Sequence, residues 1–208
     1  MKNFRLFLGL RLSESVTEFL KCKIANLAEA GLSFRKWTHP ADLHVTLHFI
    51  GDTSSSQMHA LGALAAEVAA DTAPFALALT EAGTFGPPST PRVLWCGLAE
   101  PAAPSGGALA ALHAALGARL SASGFATEAR PFRAHVTLAR GGAAGFNPAA
   151  MATAWHKVCA MPPSSASQPE APPLAHPSWI VDSCTLFLTH LGQRPSYEPI
   201  SNYPLGLK

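Results

Sequence analysis

Charge is scarce in this chain of 208 residues: Asp, Glu, Lys and Arg make up 13% of it, against about 25% in ordinary globular proteins. The formal net charge is only +2. That excludes the broad cationic surface that holds long nucleic acid without regard to sequence, so any phosphate ligand has to be met locally. Long apolar runs are missing too, since no stretch approaches the roughly 18 uncharged apolar residues of a membrane span. The opening MKNFRLFLGLRLSES is interrupted by Arg5 and Arg11 and has no small-residue cleavage site, so it does not read as a signal peptide. Cysteine is limited to Cys22, Cys96, Cys159 and Cys184, with no CxxC pair and no regular spacing. This argues against zinc or a disulfide framework and reads as four small apolar thiols in a reducing compartment. A cytoplasmic protein without a membrane segment is the expectation.

What the chain does have is apolar content, 48% of residues and much of it alanine, enough to fold around a real core. It also has an internal repeat. HVTL occurs at His44 to Leu47 and again 91 residues later at His135 to Leu138, a period too long for a solenoid unit of about 20 to 50 residues and close to half the chain. A duplicated lobe within one bilobal domain, residues 1–208, follows.

Periodicity gives the two halves similar content. Strands are expected at Phe4 to Leu10, His44 to Ile50, Phe75 to Thr80, Val93 to Leu98, Phe132 to Leu138 and Trp179 to Leu188. Helices are expected from an N-cap at Ser13 to a stop at Gly31, from Ser56 to Ala70, and from Leu109 to Leu120. Residues 161–177, MPPSSASQPEAPPLAHP, lack the apolar residues for a packed core and read as a mobile insertion. Alternating strands and helices without long apolar strands point to an α+β fold with largely antiparallel sheets flanked by helices.

In a strand, alternate side chains share a face. His44, Thr46 and His48 are therefore expected on one side and Val45, Leu47 and Phe49 on the other, with His135 and Thr137 set against Val136 and Leu138 in the second copy. The apolar set anchors each strand and leaves a histidine and a hydroxyl together; two such pairs face to face make a polar cleft. Imidazole has an ordinary pKa of about 6.5, so one copy can hold a proton while the other lacks it. Hydrolysis of a phosphodiester needs both states: a base to take a proton from water and an acid to deliver one to the leaving oxygen. Threonine hydroxyls can donate to nonbridging oxygens. The scheme needs no metal and no cofactor. His44 and His48 lie four residues apart, but no carboxylate-rich third ligand accompanies them.

These motifs, with FRLFLGLRL, DLHVTLHFIG, VLWCGL, RPFRAHVTLAR and CTLFLTHLGQRPSYEPI, resemble the RNA 2′,3′-cyclic phosphodiesterases, also called 2′-5′ RNA ligases, of the 2H phosphoesterase superfamily. The resemblance implies a bilobal, pseudo-twofold α+β fold with both HxTx motifs lining a central cleft. It implies hydrolysis of a terminal 2′,3′-cyclic phosphate to a 2′-phosphate, with reversible 2′-5′ joining as a side reaction. By the same resemblance His44 is the general acid, His135 the general base, and Thr46 and Thr137 contact phosphate. Arg140 matches a basic position, although strict alternation puts its side chain opposite His135. The expected partner is RNA with a 2′,3′-cyclic end, or a small nucleotide, and the protein is expected to be a monomer. The competing readings are another two-histidine phosphodiesterase acting on small cyclic nucleotides or 2′-5′ linked oligonucleotides, and an RNA end-binding module without turnover.

Overall fold

The structure, a computed structural model, describes residues 3–101, 107–128, 130–159 and 177–206. The first half runs β1 (Phe4–Arg11), α1 (Glu14–Glu29), β2 (Phe34–Trp37), a 3-10 turn (Pro40–Asp42), β3 (His44–Thr53), α2 (Ser55–Ala70) and β4 (Phe75–Phe85). The second runs β5 (Val93–Ala99), α3 (Ala108–Ala122), β6 (His135–Gly142), α4 (Pro148–His156), β7 (Ser178–Val181), β8 (Ser183–Thr189) and β9 (Tyr197–Pro204). Helix starts are written in the sequence. Ser13 caps α1 by accepting from the Val16 N–H, Ser54 and Gln57 form a reciprocal capping box on α2, and Asn147 caps α4 with Pro148 at its first position.

The strands form one antiparallel sheet in the order β7-β4-β5-β6-β3-β1-β8-β9, with β2 attached to β6. This order reads as a pseudo-twofold centred on the β6–β3 contact: β5 and β1 flank the centre, β4 and β8 come next, and β7 and β9 close the ends. At the centre the two halves are registered through one pair, Val45 opposite Val136, both fully buried. Helices α2 and α3 pack together, as do α1 and α4. The core between helices and sheet is mostly leucine, including Leu6, Leu8, Leu10, Leu94 and Leu138, each with no exposed surface. Full burial of one such side chain is worth about 1.5–3 kcal/mol. Close strand packing also fixes a glycine: a Cβ at Gly9 would stand 2.7 Å from the Val45 carbonyl oxygen, so the approach of β1 to the first motif strand admits no larger residue.

The structure extends and divides several expected elements. β3 continues through Gly51, whose φ of +82° suits glycine, to Thr53. β4 runs on to Phe85 because β5 pairs with it along that length. β6 begins at His135 rather than Phe132, and the expected strand from Trp179 breaks at Asp182 into β7 and β8. The insertion expected at 161–177 lies outside the described residues except for Pro177. The reading of four free thiols needs correction. Cys22 and Cys159 are disulfide-bonded with Cα atoms 6.0 Å apart, because α1 and the chain leaving α4 are adjacent in the fold, and only Cys96 and Cys184 are free and buried.

Candidate functional site

The single β3–β6 pair decides the geometry of the motifs. With Val45 opposite Val136 in antiparallel strands, His44 stands across from Thr137 and Thr46 across from His135. The valines point into the core, so the two histidines and two threonines occupy the opposite face as a four-cornered cluster. Both imidazoles are held alike. His44 Nδ1 is 2.7 Å from the Asp42 carbonyl oxygen, and His135 Nδ1 is 2.6 Å from that of Arg133. A carbonyl only accepts, so each Nδ1 carries hydrogen, and in the neutral ring Nε2 keeps its lone pair for the cleft. Thr46 Oγ1 lies 2.9 Å from His44 Nε2.

Aromatic rings wall the histidines. Phe7 and Tyr197 lie 4.8 and 5.0 Å from the His44 ring, centroid to centroid. Phe187 of β8 lies 5.6 Å from His44 and Phe85 of β4 lies 5.1 Å from His135, equivalent strands serving equivalent rings. Loss of water around His44 pushes its pKa down to about 4, a shift reinforced by the Arg140 and His135 charges and opposed by the Asp42 carbonyl and carboxylate. His135 is lowered too, again by burial first, with the Arg133 carbonyl opposing and Arg140 reinforcing. Both rings are therefore neutral near pH 7. A depression of about 20 Å³, lined by Thr38, Asp42, His44, Thr137, Arg140 and Tyr197, is room for about one water or one phosphate oxygen.

The model of the 2′-5′ RNA ligase superfamily matches residues 23–188. The chain belongs to that superfamily. It is 32% identical over 207 residues to an RNA 2′,3′-cyclic phosphodiesterase of Geobacillus stearothermophilus, spanning 99% of this chain and 58% of that longer one. It is 30% identical over 202 residues to the protein of the same name from Bacillus subtilis, spanning 96% of each. The structure of E. coli LigT complexed with 3′-AMP superposes with a TM-score of 0.68 at 24% identity, covering 98% of this chain and 99% of that one, so the fold is that of the superfamily.

Of the residues singled out from the sequence, His44, Thr46, His135 and Thr137 come together as expected. Arg140 joins them, and strand alternation had argued otherwise. The pairing of β6 with β5 slips by one between Leu94 opposite Ala139 and Trp95 opposite Thr137, so Leu138 and Ala139 form a bulge that buries both and turns Arg140 back to the cleft face. Its guanidinium reaches to 3.5 Å from Thr137 Oγ1. The first copy has the same bulge, between Leu8 opposite His48 and Gly9 opposite Thr46. Leu47 and His48 are both buried, which corrects the expectation that His48 shares a face with His44. His48 instead stacks on His113 at 4.2 Å and donates from Nε2 to the His113 carbonyl at 2.8 Å. Phe49 thereby takes the place in the first half that Arg140 holds in the second. The HxxxH pair is split between faces, and among the described residues no three His, Cys, Asp or Glu side chains gather around a possible metal.

The sequence reading missed Thr38, Asp42 and Tyr197. Asp42 is 4% exposed, and its carboxylate accepts from the Ser196 N–H at 2.8 Å and the Tyr197 N–H at 2.9 Å, fixing Tyr197 against His44. A buried acid two residues before a motif histidine was the one available signal; its partners, more than 150 residues away, left none.

Proposed function

We propose that this chain hydrolyses the 2′,3′-cyclic phosphate at RNA ends to a 2′-phosphate, with His135 as general base and His44 as general acid. The observation that carries the proposal is the pair of imidazoles, each with Nδ1 tied to a main-chain carbonyl and Nε2 left to the cleft, where that of His44 meets Thr46, set corner to corner with two threonines. The names of the relatives from G. stearothermophilus and B. subtilis agree with the chemistry. His135 Nε2 takes a proton from water, whose oxygen bonds to phosphorus. The bond from phosphorus to O3′ breaks, and His44 Nε2 delivers a proton to O3′, leaving the phosphate on O2′. Thr46, Thr137 and Arg140 donate to the nonbridging oxygens as charge builds there. A 5′-hydroxyl in place of water would give a 2′-5′ linkage by the same proton traffic.

For the acid role His44 must gain a proton that the empty cleft disfavours. A bound phosphate anion supplies the missing opposite charge, and the buried Asp42 carboxylate already favours the protonated ring. Arg140 opposes protonation of both rings, and only His44 has a carboxylate, that of Asp42, to favour it; this asymmetry supports the assignment of acid and base. Both halves of one chain furnish the chemistry, which fits a single domain acting as a monomer. No described helix is long and apolar enough to cross a membrane. A cytoplasmic place of action fits an RNA substrate, although the Cys22–Cys159 bond removes the argument from four reduced thiols.

The test is chromatographic: a short RNA ending in a 2′,3′-cyclic phosphate is incubated with the protein, and the expected product ends in a 2′-phosphate. A 3′-phosphate product, or none, would refute the proposal.

A further inference from the structure

The pseudo-twofold breaks at one place beside the cleft. Where β3 diverges from β6, the short strand β2 pairs with the far end of β6 and sets Lys36 directly opposite Arg140. Residues so paired put their side chains on the same face, with Cβ atoms about 4.5–5.5 Å apart. Lys36 Nζ donates to Ser196 Oγ at 3.1 Å, and Ser196 is 7% exposed with its N–H held by both Asp42 carboxylate oxygens at 2.8 and 2.9 Å. A flexible lysine is thereby aimed along the rim of the depression that Arg140 and Tyr197 line. Elsewhere on the surface Lys21, Arg119, Arg130 and Lys157 pair with glutamates. Among the described residues no carboxylate pairs with Lys36 or Arg140. The corresponding place in the other half is held by Phe49, with the Arg5 guanidinium over its ring at 4.9 Å, so the paired lysine and arginine belong to the β2–β6 side.

We infer that Lys36, with Arg140 beside it, forms a second phosphate subsite that takes the internal phosphodiester on the 5′ side of the terminal ribose. The site would thus favour the cyclic end of an RNA strand over a cyclic mononucleotide. This rests on the cyclic-phosphate reading and adds the residue that distinguishes a strand end from a mononucleotide. The arrangement suits it: Arg140 has five donors and can serve both phosphates, whereas Lys36 lies beyond it, away from the histidine corners, where only a substrate with a second phosphate extends. A chain carrying a net charge of +2 has to hold a strand by such local contacts.

The experiment compares kcat/KM for a dinucleotide and a mononucleotide, both with a 2′,3′-cyclic phosphate, in the parent and in Lys36→Ala, Lys36→Gln and Lys36→Arg. Loss of one charge-assisted phosphate contact lowers the dinucleotide-to-mononucleotide ratio about tenfold in the first two variants, and Lys36→Arg keeps it. The parent alone gives an independent readout: log kcat/KM against log salt falls more steeply for the dinucleotide, by about 0.7 for one added phosphate contact on a single strand. An unchanged ratio in the variants, or equal salt slopes in the parent, overturns the subsite while leaving cyclic-phosphate hydrolysis intact. A parent that opens neither substrate overturns the hydrolytic reading, and the subsite with it.

Discussion

At the scale of residues, burial in the cleft favours the neutral form of both histidines, and this has consequences for both activity and stability. The folded pKa of His44 is about 4, while in the unfolded chain it returns to about 6.5. Between these values the unfolded state binds the extra proton, so stability is fully present above pH 6.5 and is lost as pH falls towards 4, with His135 and His113 shifted the same way. Thermal unfolding from pH 7 to pH 4 should show this loss, and His44→Gln, which cannot charge, should lessen it by up to about 1.4 kcal/mol per pH unit in that window. Identical slopes for parent and variant would show that burial does not hold the ring neutral. The threonines are tested by activity. Thr46→Val removes the hydroxyl at 2.9 Å from His44 Nε2, and Thr137→Val removes the one beside Arg140, each in nearly the same volume. Each should lower kcat about 10- to 1,000-fold with folding retained, and unchanged kcat and KM in both would leave them as strand formers.

At the scale of elements, the sequence carried the strands and helices whose periodicity and caps are local, and lost those whose shape depends on a neighbour. Ser13 announces its helix; the motif strands announce themselves by alternation. The bulges at Leu47–His48 and Leu138–Ala139 do not, because an extra residue shows only against the partner strands β1 and β5. Alternation therefore misplaced His48 and Arg140 while placing His44, Thr46, His135 and Thr137. β2, α4 and β9 went unread for the same reason: β2 has four residues, α4 is rich in alanine with a weak apolar stripe, and β9 contains two prolines. The bond between Cys22 and Cys159 closes a separation of 137 residues and could not be inferred before α1 and α4 were seen side by side. Lys23 and Asn26 reinforce that contact by donating to the Lys157 carbonyl. Alkylation in denaturant before reduction should label two cysteines per chain, Cys96 and Cys184, which are buried in the fold, and reduction or Cys22→Ser should destabilise the protein by about 2–5 kcal/mol. Labelling of four in denaturant without reductant would show the bond to be absent.

At the scale of the whole molecule, the duplication matters because neither half holds a complete site. Each supplies one imidazole and one threonine, and the Val45–Val136 pair that joins the halves is also what brings the corners together. On the proposed mechanism acid and base act in one proton traffic, so removal of either leaves the other with little to do. His44→Ala and His135→Ala should each nearly abolish hydrolysis, and the double variant should be scarcely slower than the more damaged single one, since groups that work as a unit are strongly non-additive. The parent rate should be bell-shaped in pH. With His135 as base and His44 as acid, His135→Ala loses the acidic limb and His44→Ala the basic limb wherever residual turnover is measurable. In kcat the basic limb should stand well above pH 4, because the substrate's negative charge restores the His44 proton that the empty cleft expels. A basic limb near pH 4 in kcat would mean that the anion does not recharge His44, and fully multiplicative losses in the double variant would mean that the two halves work separately. Either result would dismantle the two-histidine mechanism at the level of the molecule, whatever the single residues contribute.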